Sequence, residues 1–231
     1  MTNYIIRGFS GGYEYFRGKS TKQNRIPVLH SGFGDAITCL SNLTSSEPGN
    51  LLTAHLNSAY SKLMKMADIK EWTVTQDESL WEKYVSKSYD NESLEHISNR
   101  KCIQTYVEKD YIKLNPEYFK KVKGLPEEFI TVQTSGFSKR ARIDNPETLD
   151  SFIKSYNLPV INMNEMHKRP LEESAYIVSR AKYHVGVDSG STHFALTIKD
   201  RSDVHICLNP KRLSEQGHFW IYYNYNVKLL T

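Results

Sequence analysis

Three segments of this chain carry residue types spaced for chemistry, and each follows an apolar run. The first is Ser31-Gly-Phe-Gly-Asp35, after Ile26-Pro-Val-Leu-His30. Gly32 and Gly34 permit a tight turn, and a helix opening there presents N–H groups to an anion or a polar ligand. Asp35 sets a carboxylate at that turn, where a general base could stand. A first-turn acid or helix cap has the same spacing. The stretch is not a dinucleotide fingerprint, because Ile37 takes the place of the third glycine. A carboxylate about 20 residues further on is also missing.

The second segment, Thr134-Ser-Gly-Phe-Ser-Lys-Arg-Ala-Arg142, gathers Lys139, Arg140 and Arg142 with the hydroxyls of Thr134, Ser135 and Ser138. Such a loop suits a diphosphate, and a solvated basic loop reads the same way. The third is Val185-Gly-Val-Asp-Ser-Gly-Ser-Thr-His193. A strand ends near Asp188, Gly190 turns the chain, and a helix begins around Ser191. Ser189, Ser191 and the N–H groups of that turn make a phosphate site, with His193 one turn inside as a donor. A packed histidine is the plainer alternative. Gly12 to Ser20 imitates a phosphate-binding P-loop but has five residues between its glycines, not four, and is set aside.

The elements that must position these loops alternate. Apolar runs at 26–30, 51–56, 71–75, 129–133, 158–162, 183–187 and 203–208 read as strands. Helical spacing appears at 36–43, 59–66, 146–156, 171–181 and 191–198, with Asn145 as the cap of the third. The polar stretch 76–100 reads as helix and loop, 101–114 as one or two strands, and 120–126 as a linker. Alternation of this kind builds parallel sheets from crossover units. The expected fold is therefore α/β, with two Rossmann-like domains at 1–124 and 125–231. In open parallel sheets the carboxyl ends of strands hold the ligand, which is where all three loops fall.

Composition narrows the classes. The 231 residues are 39% hydrophobic and 24% charged, a globular balance that can bury a sizeable core. Apolar runs are far shorter than the roughly 18 residues of a spanning helix. The opening residues have no apolar stretch of signal-peptide length, so a cytoplasmic protein is expected. The three cysteines show no paired spacing and suit buried thiols in a reducing compartment. Residues 1–25 hold Arg7, Arg17, Lys19, Lys22 and Arg25 against Glu14, which equals the whole net charge of +4. Aromatics interleave them, so this segment is either a nucleic-acid contact or a solvated hairpin.

Taken together, Gly32, Gly34 and Asp35 with Val185, Gly186, Asp188, Ser189, Gly190 and His193 resemble the heptosyltransferase family of GT-B glycosyltransferases. The resemblance covers about 26–60 and 129–208 of the sequence. It implies two Rossmann-like domains facing a cleft and a nucleotide-sugar co-substrate, with no metal or other cofactor. By that likeness Asp35 is the catalytic base. The donor is held by Gly32, Gly34, Ser138, Lys139, Asp188, Ser189, Gly190, Ser191 and His193, with Glu165 on the ribose. The chain is shorter than the family's usual length, and the family's Lys-Arg-Trp-Pro stretch is Lys139-Arg-Ala-Arg142 here. Sugar transfer builds negative charge on the leaving diphosphate, which Lys139 and the turn after Asp188 would stabilise. The expected acceptor is a hydroxymethylated base in phage-type DNA, suggested by the basic aromatic start and the Lys- and Tyr-rich residues 109–123. A lipopolysaccharide or other glycan acceptor is the alternative, and a non-catalytic nucleotide-binding protein a third reading.

Overall fold

The computed structural model describes residues 28–29, 33–34, 37, 40–41, 49–53, 58–70, 72–76, 110–136, 143, 145–209 and 226–230. Asp35, Gly32, Ser138, Lys139, the basic segment 1–25 and the polar stretch 77–100 lie outside them. The chain divides into two compact units, Met1–Ile112 and Lys113–Thr231.

In the first unit, strands β1 (Val28–Leu29), β2 (Gly49–Thr53) and β3 (Trp72–Gln76) form a parallel sheet in that order. Helix α1 (Ser58–Met66) connects β2 to β3 and buries Leu63, Met64 and Met66. Phe33, Gly34, Ile37, Leu40 and Ser41 are helical, with Ile37 and Leu40 buried. Ser41 Oγ donates to Ile37 O at 2.7 Å and accepts the Ile112 N–H at 3.1 Å.

The second unit holds five parallel strands in the order β5-β4-β6-β7-β8. They are β4 (Ile130–Gln133), β5 (Val160–Asn162), β6 (Tyr183–Val187), β7 (Val204–Leu208) and β8 (Asn226–Leu229). Residues alternate between the faces of a strand. One face carries Ile130, Val132, Val185, Val187 and Cys207, which form a core with Leu149, Ile153 and Leu230. Leu149 and Ile153 belong to α2 (Pro146–Lys154), one helical turn apart. Its cap is the expected one: Asn145 Oδ1 accepts the N–H of Glu147 at 3.0 Å and of Thr148 at 3.4 Å, with Pro146 at the first position. Helix α3 (Leu171–Arg180) buries Leu171, Ser174, Ala175 and Val178 along one stripe. Helix α4 (Gly190–Leu196) is buried from Ser191 onward. Among the described residues, no helix is long and apolar enough to cross a membrane.

Two readings change. The apolar–polar alternation of 101–114 suggested strands, but the described part, 110–114, takes no ladder position. Tyr111 and Ile112 are buried in the first unit, and Leu114 in the second donates its N–H to Thr197 O at 3.0 Å. The segment read as a linker packs on the second unit, where Lys120 N–H bonds Glu172 O at 3.1 Å and its amine pairs with Glu173 at 2.7 Å. Gly124 turns the chain with φ +76, a left-handed conformation that favours glycine. Strand β8 had no counterpart in the sequence reading.

Candidate functional site

The order β5-β4-β6 means that the chain steps from β4 to one side, then crosses to the other. Between β4 and β6 the winding reverses, and open α/β sheets bind ligands at the carboxyl ends of the two strands flanking such a point. Those ends are Gln133 and Val187, each running straight into a loop singled out from the sequence.

The loop after β6 is closed by its own hydrogen bonds. Ser189 O accepts the N–H of Thr192 at 3.0 Å and of His193 at 3.1 Å, and Thr192 Oγ1 donates to Val187 O at 2.7 Å. His193 Nε2 stands 3.6 Å from Asp188 Oδ1, with the imidazole nearly buried and the carboxylate partly open. That distance is too long for a hydrogen bond and short enough for an ion pair once the ring is protonated. The hydroxyls of Ser189 and Ser191 are buried and find no hydrogen-bond partner. Leaving a buried hydroxyl unpaired costs about 1–3 kcal/mol. Two of them fall in one turn, each able to donate one hydrogen bond.

The turn rests on a polar layer that the sequence did not flag. On the face of the sheet toward α4 stand Thr131 and His184, paired across β4 and β6, followed by Gln133 and Gly186. His184 is fully buried, with Nδ1 3.0 Å from Thr131 Oγ1 and Nε2 3.5 Å from Thr192 Oγ1. Burial pushes its pKa down to about 3, and positive charge on Lys199 or His205 would act in the same direction. The imidazole is therefore neutral and serves as packing. A Cβ on Gly186 would lie 2.3 Å from Thr192 Oγ1 and 2.8 Å from His184 Nε2. Only glycine lets α4 sit this close to β6.

The loop after β4 is fixed at its root from the β5 side. Asn164 Oδ1 accepts the N–H of Thr134 at 2.9 Å and of Ser135 at 3.2 Å, while its Nδ2 donates to Thr134 Oγ1 at 2.8 Å. Asn162 Oδ1 in turn accepts Asn164 N–H at 2.7 Å. Gln133 Nε2 holds the Ser135 carbonyl from the other side. Asparagines at the end of an apolar run are a turn signal that the sequence reading passed over, while the bonds from Asn164 to 134–135 have no local signal.

Of the residues expected to bind a donor, Asp188 and Ser189 lie in the short turn after β6, and Gly190, Ser191 and His193 in the first turn of α4 that follows it. Gly34 is a half-buried helical residue of the first unit. Glu165 follows β5 and pairs with Lys168 at 2.6 Å, its side chain largely exposed. In the Lys- and Tyr-rich stretch, Tyr111 is buried, and Lys113 spends its amine on Leu196 O at 3.3 Å and Lys199 O at 2.9 Å. Cys207 is buried and its thiol pushed up to about 12, mainly by that burial, which suits packing. Among the described residues, no cluster of three or more His, Cys, Asp or Glu could hold a metal ion. No family model, curated protein or solved structure matches the chain.

Proposed function

We propose that the chain is a sugar-nucleotide-dependent glycosyltransferase of the GT-B kind, with two Rossmann-like domains. The observation that carries the reading is the loop after β6. It stands at the strand-order reversal of a parallel sheet, with Asp188 beside His193 and two buried, unpaired serine hydroxyls. There the diphosphate of the donor accepts from Ser189 and Ser191, while Lys139 brings a cation from the loop after β4. His193, its Nε2 3.6 Å from Asp188 Oδ1, stands in the same turn as a further hydrogen-bond donor to the leaving group. Asp35 is the base that takes the acceptor proton. The acceptor is a hydroxymethylated base in duplex DNA, reached through the basic aromatic residues 1–25.

The test is turnover. The chain is incubated with UDP-, GDP-, ADP- and CDP-sugars and with duplexes that carry or lack hydroxymethylated cytosine. Sugar should appear on the modified duplex, and Asp35→Asn should lose about 10²–10⁴-fold in rate while still binding the nucleotide. Transfer to a glycan instead would replace the acceptor. Binding without transfer or hydrolysis would leave a nucleotide-binding protein.

A further inference from the structure

Gln133 is the last residue of β4 and 7% exposed. Its Nε2 donates to the Ser135 carbonyl, and that contact fixes which end of the amide is which, since an oxygen there would face another oxygen. The remaining atom, Oε1, is buried with no hydrogen-bond partner. Gln133 is the register partner of Gly186, and its Cβ is 3.4 Å from where a Cβ on Gly186 would be. An acceptor with no donor is therefore carried by the last residue of β4, opposite Gly186 in the strand that leads into the turn bearing the unpaired hydroxyls of Ser189 and Ser191.

The chemistry of these atoms differs. A hydroxyl can donate to a phosphoryl oxygen, whereas an amide carbonyl can only accept. An unprotonated phosphoryl oxygen satisfies the serines but sets oxygen against Oε1, whereas a sugar hydroxyl brings a donor at every pH. We infer that Gln133 reads a hydroxyl group of the ligand, so that the site takes a diphosphate carrying a sugar and discriminates against the inorganic anion. The inference rests on the diphosphate reading of the β6 turn and adds the specificity residue. The hydroxyl comes either from the ribose or from the transferred sugar.

Titration calorimetry on the full chain separates these cases. The ligands are inorganic pyrophosphate, the nucleoside diphosphates UDP, ADP, GDP and CDP, their 2′- and 3′-deoxy forms, and UDP-glucose with its counterparts. Gln133→Met should weaken binding of the preferred nucleotide or nucleotide sugar by roughly three- to tenfold, the worth of one hydrogen bond. Pyrophosphate affinity should not fall, because Met removes the oxygen that opposes the bare anion. A loss already seen with the diphosphate, and absent with a deoxy form, places the ribose over Gln133. A loss confined to the sugar conjugate places the transferred sugar there. Because Met also gives up the bond to Ser135, Gln133→Glu is the companion variant: it keeps the acceptor and loses the same donor. Glu should retain the preference for the hydroxylated ligand over its deoxy form, and Met should not. Equal losses for pyrophosphate and nucleotide, no loss, or the same preference in all three proteins would overturn the role of Gln133 and leave diphosphate binding standing. If neither pyrophosphate nor any nucleotide binds, the donor reading itself falls.

Discussion

At the scale of single residues, the polar layer beneath the β6 turn makes two tests. His184 is neutral in the fold with a pKa of about 3, against an ordinary 6.5. The unfolded chain takes up a proton as pH drops through 6.5, and the folded chain does not until about pH 3. The stability owed to the neutral ring is thus complete above pH 6.5 and is lost as the pH falls toward 3. Between pH 7 and 4.5 this group should account for about 2–3 kcal/mol, at 1.36 kcal/mol per unit. Urea denaturation at both pH values should show His184→Gln to be less pH-sensitive by that amount. Equal slopes would mean that the ring is protonated in the fold. Burial lowers His205 in the same direction, so the comparison must be between the two proteins. The second test concerns Gly186. Its alanine variant forces a methyl against Thr192 and His184, which should cost about 1–3 kcal/mol. Adding Thr192→Ala removes the closer obstacle, so the double variant should lose less than the two single losses combined.

At the scale of elements, two asparagines perform related tasks with different reach. Asn145 caps its own helix, so Asn145→Ala should cost about 1 kcal/mol and Asn145→Asp almost nothing. Asn164 satisfies two N–H groups some thirty residues earlier, at the root of the loop after β4. Asn164→Leu strands both donors and should destabilise by about 1–3 kcal/mol. If the proposed nucleotide site is right, it should also weaken nucleotide binding by loosening Thr134 and Ser135 at the end of β4. Asn164→Asp keeps the accepting oxygen, and Thr134 Oγ1 can turn to donate in place of Nδ2, so it should restore most of both. If Asp behaved like Leu in thermal unfolding and calorimetry, the bonds from the two backbone N–H groups would not be what holds the loop.

At the scale of the whole molecule, the division into Met1–Ile112 and Lys113–Thr231 carries a folding expectation. All five strands of the second sheet pair with one another, and the cluster around Ile130, Val185 and Cys207 draws every member from residues 130–230. A fragment of residues 113–231 should therefore unfold cooperatively, with coincident transitions by circular dichroism and tyrosine fluorescence. A fragment that melts without cooperativity would show that the second unit needs the first. The segment 113–128 belongs in that fragment, because Lys113, Leu114 and Lys120 all bond to α3 or to residues 196–199. Starting at 125 instead would remove those bonds and should lower the midpoint.

The order of strands and helices from 129 to 208 was legible in the sequence, because helix and strand periods are local and the caps sit beside what they cap. Asn145 and the turn at Asp188–Ser191 were found on that basis. Strand β8 was not, since Asn226-Val-Lys-Leu229 has no apolar run and becomes a strand by pairing with β7. Residues 110–114 alternate like a strand, yet Ile112 N–H is taken by the Ser41 hydroxyl and Leu114 N–H by Thr197 O. Most of all, the sequence could not place β6 against β4. Pairings such as Thr131 with His184 join residues 53 apart in sequence, and nothing in a local pattern encodes a partner at that distance. That pairing sets Gln133 beside Gly186 and Thr131 beside His184, the ring being buried and neutral, and the Gln133 amide oxygen is buried there without a partner. The sequence determined which loops could hold a ligand; the tertiary structure decided which atoms in them still lack a partner.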